Sequence, residues 1–181
     1  MTTTPPLVDP RVIALAHYAG RALLENVLAR HGITFQQSVA LRLAALADGP
    51  VARERLVEGV TGALKIGASE VHGVLDQLIT ARLLTPDGAP ESASTTSSHL
   101  RITDAGRELY TTTSGATAPV TARIYDGIPA QDLAVTGRVL SLITERADAE
   151  LAALTRWPRP LSGRRNIRPT GSVVGREGGT E

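Results

Sequence analysis

The sequence has no cysteine, few aromatic residues and no long apolar run. Its 181 residues include one Trp, three Tyr and one Phe. The absence of cysteine excludes disulfides, thiolate metal sites and cysteine nucleophiles, and five aromatic rings are too few for the stacking surface of a single-strand binder. No apolar stretch approaches the roughly 18 residues that a membrane span needs, and residues 1–6 carry no secretory-signal pattern. We therefore expect a soluble, cytoplasmic protein that contacts no membrane.

Charge is nearly balanced in total but unevenly distributed. The chain has 19 Lys and Arg against 18 Asp and Glu, for a net charge of +1, and Lys65 is its only lysine. Residues 1–155 hold 13 basic and 16 acidic side chains, whereas residues 156–181 hold six Arg and two Glu. We expect a mildly acidic folded body and an Arg/Pro/Gly-rich tail at 155–181 that is disordered in isolation. The sequence leaves open whether this tail is an idle terminus or a flexible arm that contacts DNA.

Apolar residues at helical spacing predict six helices after a flexible N-terminus at 1–9. The predicted starts lie near residues 10, 34, 53, 67, 104 and 129. Asp9 and Pro10 are typical of a helix start, and Thr34 with Gln37 fits a capping box. Three consecutive helices with short turns between residues 34 and 81 indicate a helix-turn-helix core.

A two-stranded hairpin is predicted after the fourth helix. Short extended segments at 82–85 and 99–103 flank a polar loop, so that they form a wing beside the helical core. Thr103 is a candidate cap for the next helix. Pro119 lies inside that helix, where proline removes a hydrogen bond, and we expect a bend or break within residues 115–119.

This order of elements, with three sequence stretches, resembles the MarR family of bacterial transcriptional regulators over about residues 10–154. The stretches are 69–84 (SEVHGVLDQLITARLL), 100–109 (LRITDAGREL) and 127–133 (GIPAQDL). The resemblance implies a mostly α fold: a winged helix-turn-helix domain at about 34–103 with a two-stranded wing, and long N- and C-terminal dimerisation helices. It further implies a homodimer that binds double-stranded DNA and responds to a small hydrophobic or aromatic ligand, without a cofactor.

Candidate DNA contacts lie on the fourth helix and on nearby cations. They are Ser69, His72, Gly73, Gln77, Arg53, Arg55, Lys65 and Arg101. Family members commonly carry Arg where this chain has Gly73, Gln77 and Pro86, and the loop at 85–98 has two acidic residues and no cation. Because cations on phosphates supply most of the affinity, we expect weaker DNA binding than in relatives. Alternatively, these cations are solvated or form ion pairs with the nearby glutamates Glu54, Glu58 and Glu70.

A ligand pocket is predicted from His17, Tyr18, Arg42 and Tyr110, which would supply polar contacts between apolar helices. Equally, the two tyrosines fit core or interface positions and Arg42 fits the surface. The four histidines lie on different elements with no pair at metal-binding spacing, so that we expect no metal site.

A second function is a MarR-like protein with weakened or lost DNA binding. Such a protein would use its pocket as a small-molecule binder or as a cofactor-independent enzyme. His17, Tyr18 and Arg42 would then act as acid-base or orienting groups. No nucleophile elbow, phosphate loop or metal motif supports an enzyme, and the sequence favours the regulator.

Overall fold

The computed structural model describes residues 7–87 and 99–156, and within them it contains all six predicted helices and three short strands. The elements are α1 (Pro10–Ala29), α2 (Phe35–Ala45), β1 (Val51–Ala52), α3 (Arg53–Leu64), α4 (Ala68–Thr80), β2 (Leu84–Asp87), β3 (His99–Ile102), α5 (Asp104–Tyr125) and α6 (Ala130–Arg156). Residues 1–6, most of the predicted wing loop and the predicted tail from residue 157 lie outside the described residues. The mostly helical winged-helix fold expected from the sequence is confirmed.

Side-chain caps fix three of the helix starts at the predicted positions. The carboxylate of Asp9 accepts a hydrogen bond from the Val12 N–H at 2.8 Å. Thr34 and Gln37 form the reciprocal capping box, with distances of 3.2 and 3.0 Å. Thr103 accepts from the Gly106 N–H at 3.0 Å at the start of α5. Each cap satisfies a backbone donor that the first helical turn would otherwise leave unpaired.

The three strands form one antiparallel sheet in the order β1-β3-β2. The predicted wing consists of β2 and β3, in which Leu84 pairs with Ile102. The two-residue strand β1 was not predicted, since two residues show no alternation. Its pairing of Ala52 with His99 fixes the point at which α3 begins.

The chain divides into two compact units, with the boundary between Asp126 and Gly127. The hydrophobic core lies in the first unit, where α2, α3, α4 and the sheet bury their apolar faces. Its most completely buried large side chains are Leu28, Leu41, Leu56, Val60, Val71, Leu75, Leu78, Leu84 and Leu100. In the second unit, α6 is one 27-residue helix.

Helix α5 runs through Pro119 without interruption, so that the break considered at this point is wrong, while a bend of the helix stays a prediction. Proline removes only its own N–H bond to the residue four positions earlier, and the packing of a long helix can offset that loss. The half of α5 before Pro119 packs on the core through Leu109 and Tyr110. These contacts hold the helix in place up to the proline.

Candidate functional site

A cleft of about 480 Å³ lies between α1, α2 and α5 within the first unit. Its apolar lining residues are Leu24, Leu28, Phe35 and Val39, and its polar ones are Ser38, Arg42, Tyr110, Thr113, Ser114 and Thr117. Several hydroxyls of this lining are already engaged. Ser38 donates to the Phe35 carbonyl at 2.7 Å, and Thr113 donates to the Leu109 carbonyl at 2.8 Å.

Arg42, Tyr110 and Ser114 are the polar side chains of the cleft that have no partner among the described residues, and Arg42 and Tyr110 are the largest of them. Neither the guanidinium of Arg42 nor the hydroxyl of Tyr110 has a hydrogen-bond or ion-pair partner within residues 7–87 and 99–156. Arg42 lies on α2, and Tyr110 on α5 is half-buried against the core. Both side chains therefore line one space between two helices, with donors free for a bound molecule.

The structure brings together two of the four predicted pocket residues. Arg42 and Tyr110 line the cleft, whereas His17 and Tyr18 are not part of its lining. His17 and Tyr18 are exposed on α1, where their rings make an edge-to-face contact with centroids 5.3 Å apart. The set of His17, Tyr18 and Arg42 considered for an enzyme does not meet in this cleft. Ser38 was missed, although its position four residues before Arg42 puts both on one helix face.

A second, larger groove of about 670 Å³ runs between α1 and α5. It is lined by small and apolar residues with two threonines and one tyrosine, and no charged side chain contributes to it. It therefore lacks a charged anchoring group such as Arg42 in the first cleft.

The candidate recognition surface lies on α4. Ser69, Gly73 and Gln77 are exposed and His72 is half-buried. The side-chain carbonyl of Gln77 accepts a hydrogen bond from the amide of Gln37 on α2 at 2.9 Å. Around Gly73 the space is open, since an added Cβ would meet no atom within 4 Å.

Two of the four candidate cations are paired with aspartates. Arg53 bonds to Asp76 at 2.7 Å, and its side chain is only 16% exposed. Arg101 contacts Asp87 on the neighbouring strand at 2.8 Å. Arg53 and Arg101 thus form ion pairs, as the alternative interpretation of the sequence considered, but their partners are aspartates instead of glutamates.

Arg55, Lys65 and Arg101 are exposed, whereas Arg53 is half-buried. Arg55 lies in the first turn of α3. Lys65 ends the same helix in the left-handed conformation, with φ of 56°. Neither is carried by α4 itself, so that the helix face presented by Ser69, Gly73 and Gln77 has no cation of its own.

The described residues contain no group of three or more histidine or acidic side chains that could hold a metal ion. None of their helices is both long enough and apolar enough to cross a membrane.

No protein-family model and no curated protein sequence matches this chain. Solved structures do match. A MarR family transcription regulator is 22% identical, with a TM-score of 0.63 over 79% of this chain and 89% of its own. CouR from Rhodococcus jostii RHA1, bound to p-coumaroyl-CoA, is 17% identical, with a TM-score of 0.60 over 74% and 88%. NadR in complex with 4-hydroxyphenylacetate is 19% identical, with a TM-score of 0.59 over 80% and 98%. The chain therefore has the winged-helix fold of the MarR-family transcriptional regulators, as the sequence resemblance implied.

Proposed function

We propose that this protein is a ligand-responsive, DNA-binding transcriptional regulator of the MarR family that acts as a homodimer in the cytoplasm. The observation that carries the proposal is the position of α2. This one helix lines the ligand cleft and also contacts the candidate recognition helix.

Two sets of residues on α2 support this coupling. Phe35, Ser38 and Arg42 line the cleft, while Gln37 on the same helix bonds to Gln77 on α4. Ligands shift a protein between states only through contacts that differ between those states. A ligand that displaces α2 would change its contact with α4, and thereby the position of the DNA-facing side chains.

The lining of the cleft favours a small aromatic or hydrophobic acid as the ligand. Apolar walls accept a ring, and an arginine binds a carboxylate through charge-assisted hydrogen bonds. Tyr110 adds a hydroxyl within the same space. The likeness to NadR in complex with 4-hydroxyphenylacetate supports this ligand class.

Exposed apolar side chains on α1 support the homodimer. Leu15 is 60% exposed, Tyr18 is 66% exposed and Leu23 is 40% exposed. In an isolated chain these apolar side chains stay exposed to water, whereas a symmetric second copy would bury them. The dimer would present two copies of α4 to two half-sites of a DNA duplex.

Thermal unfolding with 4-hydroxyphenylacetate as the probe tests the cleft. At a concentration about 100 times its Kd, the acid should raise the Tm by about 5–10 °C. Arg42→Gln should weaken binding about tenfold or more, because the carboxylate loses its charged partner. The matched control is Arg107→Gln, an exposed arginine on α5 outside this cleft, which should respond like the unmodified protein.

A shift of equal size in Arg42→Gln would contradict the role of Arg42. No response of the unmodified protein to any member of a panel of aromatic acids would contradict the ligand-binding proposal itself.

A further inference from the structure

We propose that Arg53 positions His72 and Asp76 to read a guanine and a cytosine in the DNA major groove. The inference rests on the proposed DNA-binding function and assigns the base specificity of its recognition helix. It starts from three hydrogen bonds that join the first residue of α3 to α4.

The guanidinium of Arg53 donates hydrogen bonds to both His72 and Asp76. Its Nη2 atom donates to Asp76 Oδ1 at 2.7 Å and to the His72 carbonyl at 3.1 Å. Its Nε atom donates to His72 Nδ1 at 3.3 Å. Because the arginine side chain is only 16% exposed, it is placed between the helices and is not a free cation for a phosphate.

The contact with Arg53 also fixes where the imidazole of His72 carries its proton. A guanidinium has donors only, so that His72 Nδ1 must accept. The neutral ring then carries its hydrogen on Nε2. Nε2 has no hydrogen-bond partner in the described part of the chain. Among the described residues, Thr61 Oγ1 is the only buried polar side-chain atom without a partner. His72 therefore offers a fixed N–H donor to a base.

Asp76 offers the complementary acceptor. One carboxylate oxygen is held by Arg53, while the side chain remains 66% exposed and its second oxygen has no partner among residues 7–87 and 99–156. A lone carboxylate on a DNA-facing helix would repel phosphates. Here the half-buried arginine neutralises the charge, so that an acceptor is presented without net repulsion.

The spacing of His72 and Asp76 along α4 suits contacts with neighbouring base pairs. Residues 72 and 76 are four apart on α4, which separates their Cβ atoms by roughly 5–6 Å, or one to two base steps of about 3.4 Å. In the major groove, guanine presents the acceptors O6 and N7, and cytosine presents the N4 amino donor. A donor from His72 and an acceptor from Asp76 therefore select guanine and cytosine one or two steps apart.

The first experiment uses the free full-length protein. Nitrogen NMR of ¹⁵N-histidine-labelled protein, with His72 assigned by its loss in His72→Gln, reports which ring nitrogen is protonated. We expect the Nε2–H tautomer in the unmodified protein and a mixture of tautomers in Arg53→Lys, which keeps the charge but lacks the planar fork of donors. An Nδ1–H tautomer, or an unchanged tautomer in Arg53→Lys, would overturn the positioning role.

The second experiment selects duplexes from a randomised library. The unmodified protein should prefer guanine and cytosine about five- to tenfold at two positions, the discrimination of a single good hydrogen bond. His72→Ala should lose the guanine preference and His72→Gln should keep it, because the amide restores a donor. Asp76→Asn, which can still accept from Arg53, should lose the cytosine preference.

Glu70→Gln provides the matched control on α4. Glu70 is exposed in the first turn of the helix and lies outside the network of Arg53, so that its replacement should change the affinity for all duplexes alike and leave the guanine and cytosine preferences in place. Guanine and cytosine preferences that survive in both His72→Ala and Asp76→Asn would overturn this inference while leaving the proposed DNA binding intact. Absence of any duplex retained by the unmodified protein would instead contradict the proposed function, and the base-reading role with it.

Discussion

At the scale of single residues, Thr103 and Gly106 explain why the stretch at 100–109 has its sequence. The Thr103 hydroxyl donates to the Arg82 carbonyl at 2.8 Å and accepts from the Gly106 N–H at 3.0 Å, which ties the start of α5 to the segment before β2. At Gly106, an added Cβ would collide with the Leu83 carbonyl oxygen and press against the Ile102 side chain. The position therefore requires glycine because the neighbouring backbone comes too close.

Gly106→Ala should destabilise the protein by about 2 kcal/mol or more, because a backbone carbonyl cannot move aside as the end of a flexible side chain can. Chemical denaturation of both proteins measures the difference. The matched control is Gly62→Ala on α3, where an added Cβ meets no atom within 4 Å and which should stabilise by about 0.5–1 kcal/mol. Equal stability of Gly106→Ala and the unmodified protein would contradict the close approach.

Sequence reasoning could predict part of the candidate sites, and contacts between distant residues account for the rest. The caps at Asp9, Thr34 and Thr103 depend on neighbours three residues away and were therefore predictable. The partner of Arg53 was not, because Asp76 is 23 residues further along the chain and reaches it only through the packing of α3 against α4.

At the scale of elements, the unusual feature of α4 is its lack of a cation. The exposed Gly73 lies in the interior of the helix with open space around it. In relatives, as the resemblance implies, an arginine commonly occupies this position. Along Ala68–Thr80 there is thus no lysine or arginine that could bind a phosphate.

Gly73→Arg should strengthen DNA binding and steepen its salt dependence by about one unit of slope, because each new phosphate contact releases about one counterion. It should also stabilise α4 by roughly 0.5–1 kcal/mol, since arginine is a better helix former than glycine. Gly73→Ala is the matched control, with a similar gain in stability and no change in salt slope. If both variants bound DNA alike in fluorescence anisotropy, α4 would not face the duplex.

Helix α5 and strand β1 show where patterns along the chain are insufficient. The continuation of α5 through Pro119 depends on packing that a sequence pattern does not contain. Strand β1 has two residues and forms only because β3 offers an unpaired edge to it. Both outcomes follow from tertiary contacts that compensate for weak local preference.

At the scale of the whole molecule, the near-neutral charge divides into a mildly acidic body and a basic segment after residue 155. Within the body, the pairing of Arg53 and Arg101 with aspartates reduces the free cations near α4 further. Arg55 is then the exposed cation of the candidate DNA-binding set for which the described residues show no hydrogen-bond or ion-pair partner. We therefore expect the proposed binding to DNA to depend strongly on ionic strength.

The most direct test is an equilibrium titration of a fluorescent duplex, taken from the region upstream of the protein's own coding sequence, at several salt concentrations. We expect binding at low salt, with a logarithm of the association constant that falls linearly with the logarithm of the salt concentration. An aromatic acid that binds the cleft should lower the affinity at each salt concentration. Absence of any salt-sensitive binding at micromolar protein would contradict the proposed DNA-binding function.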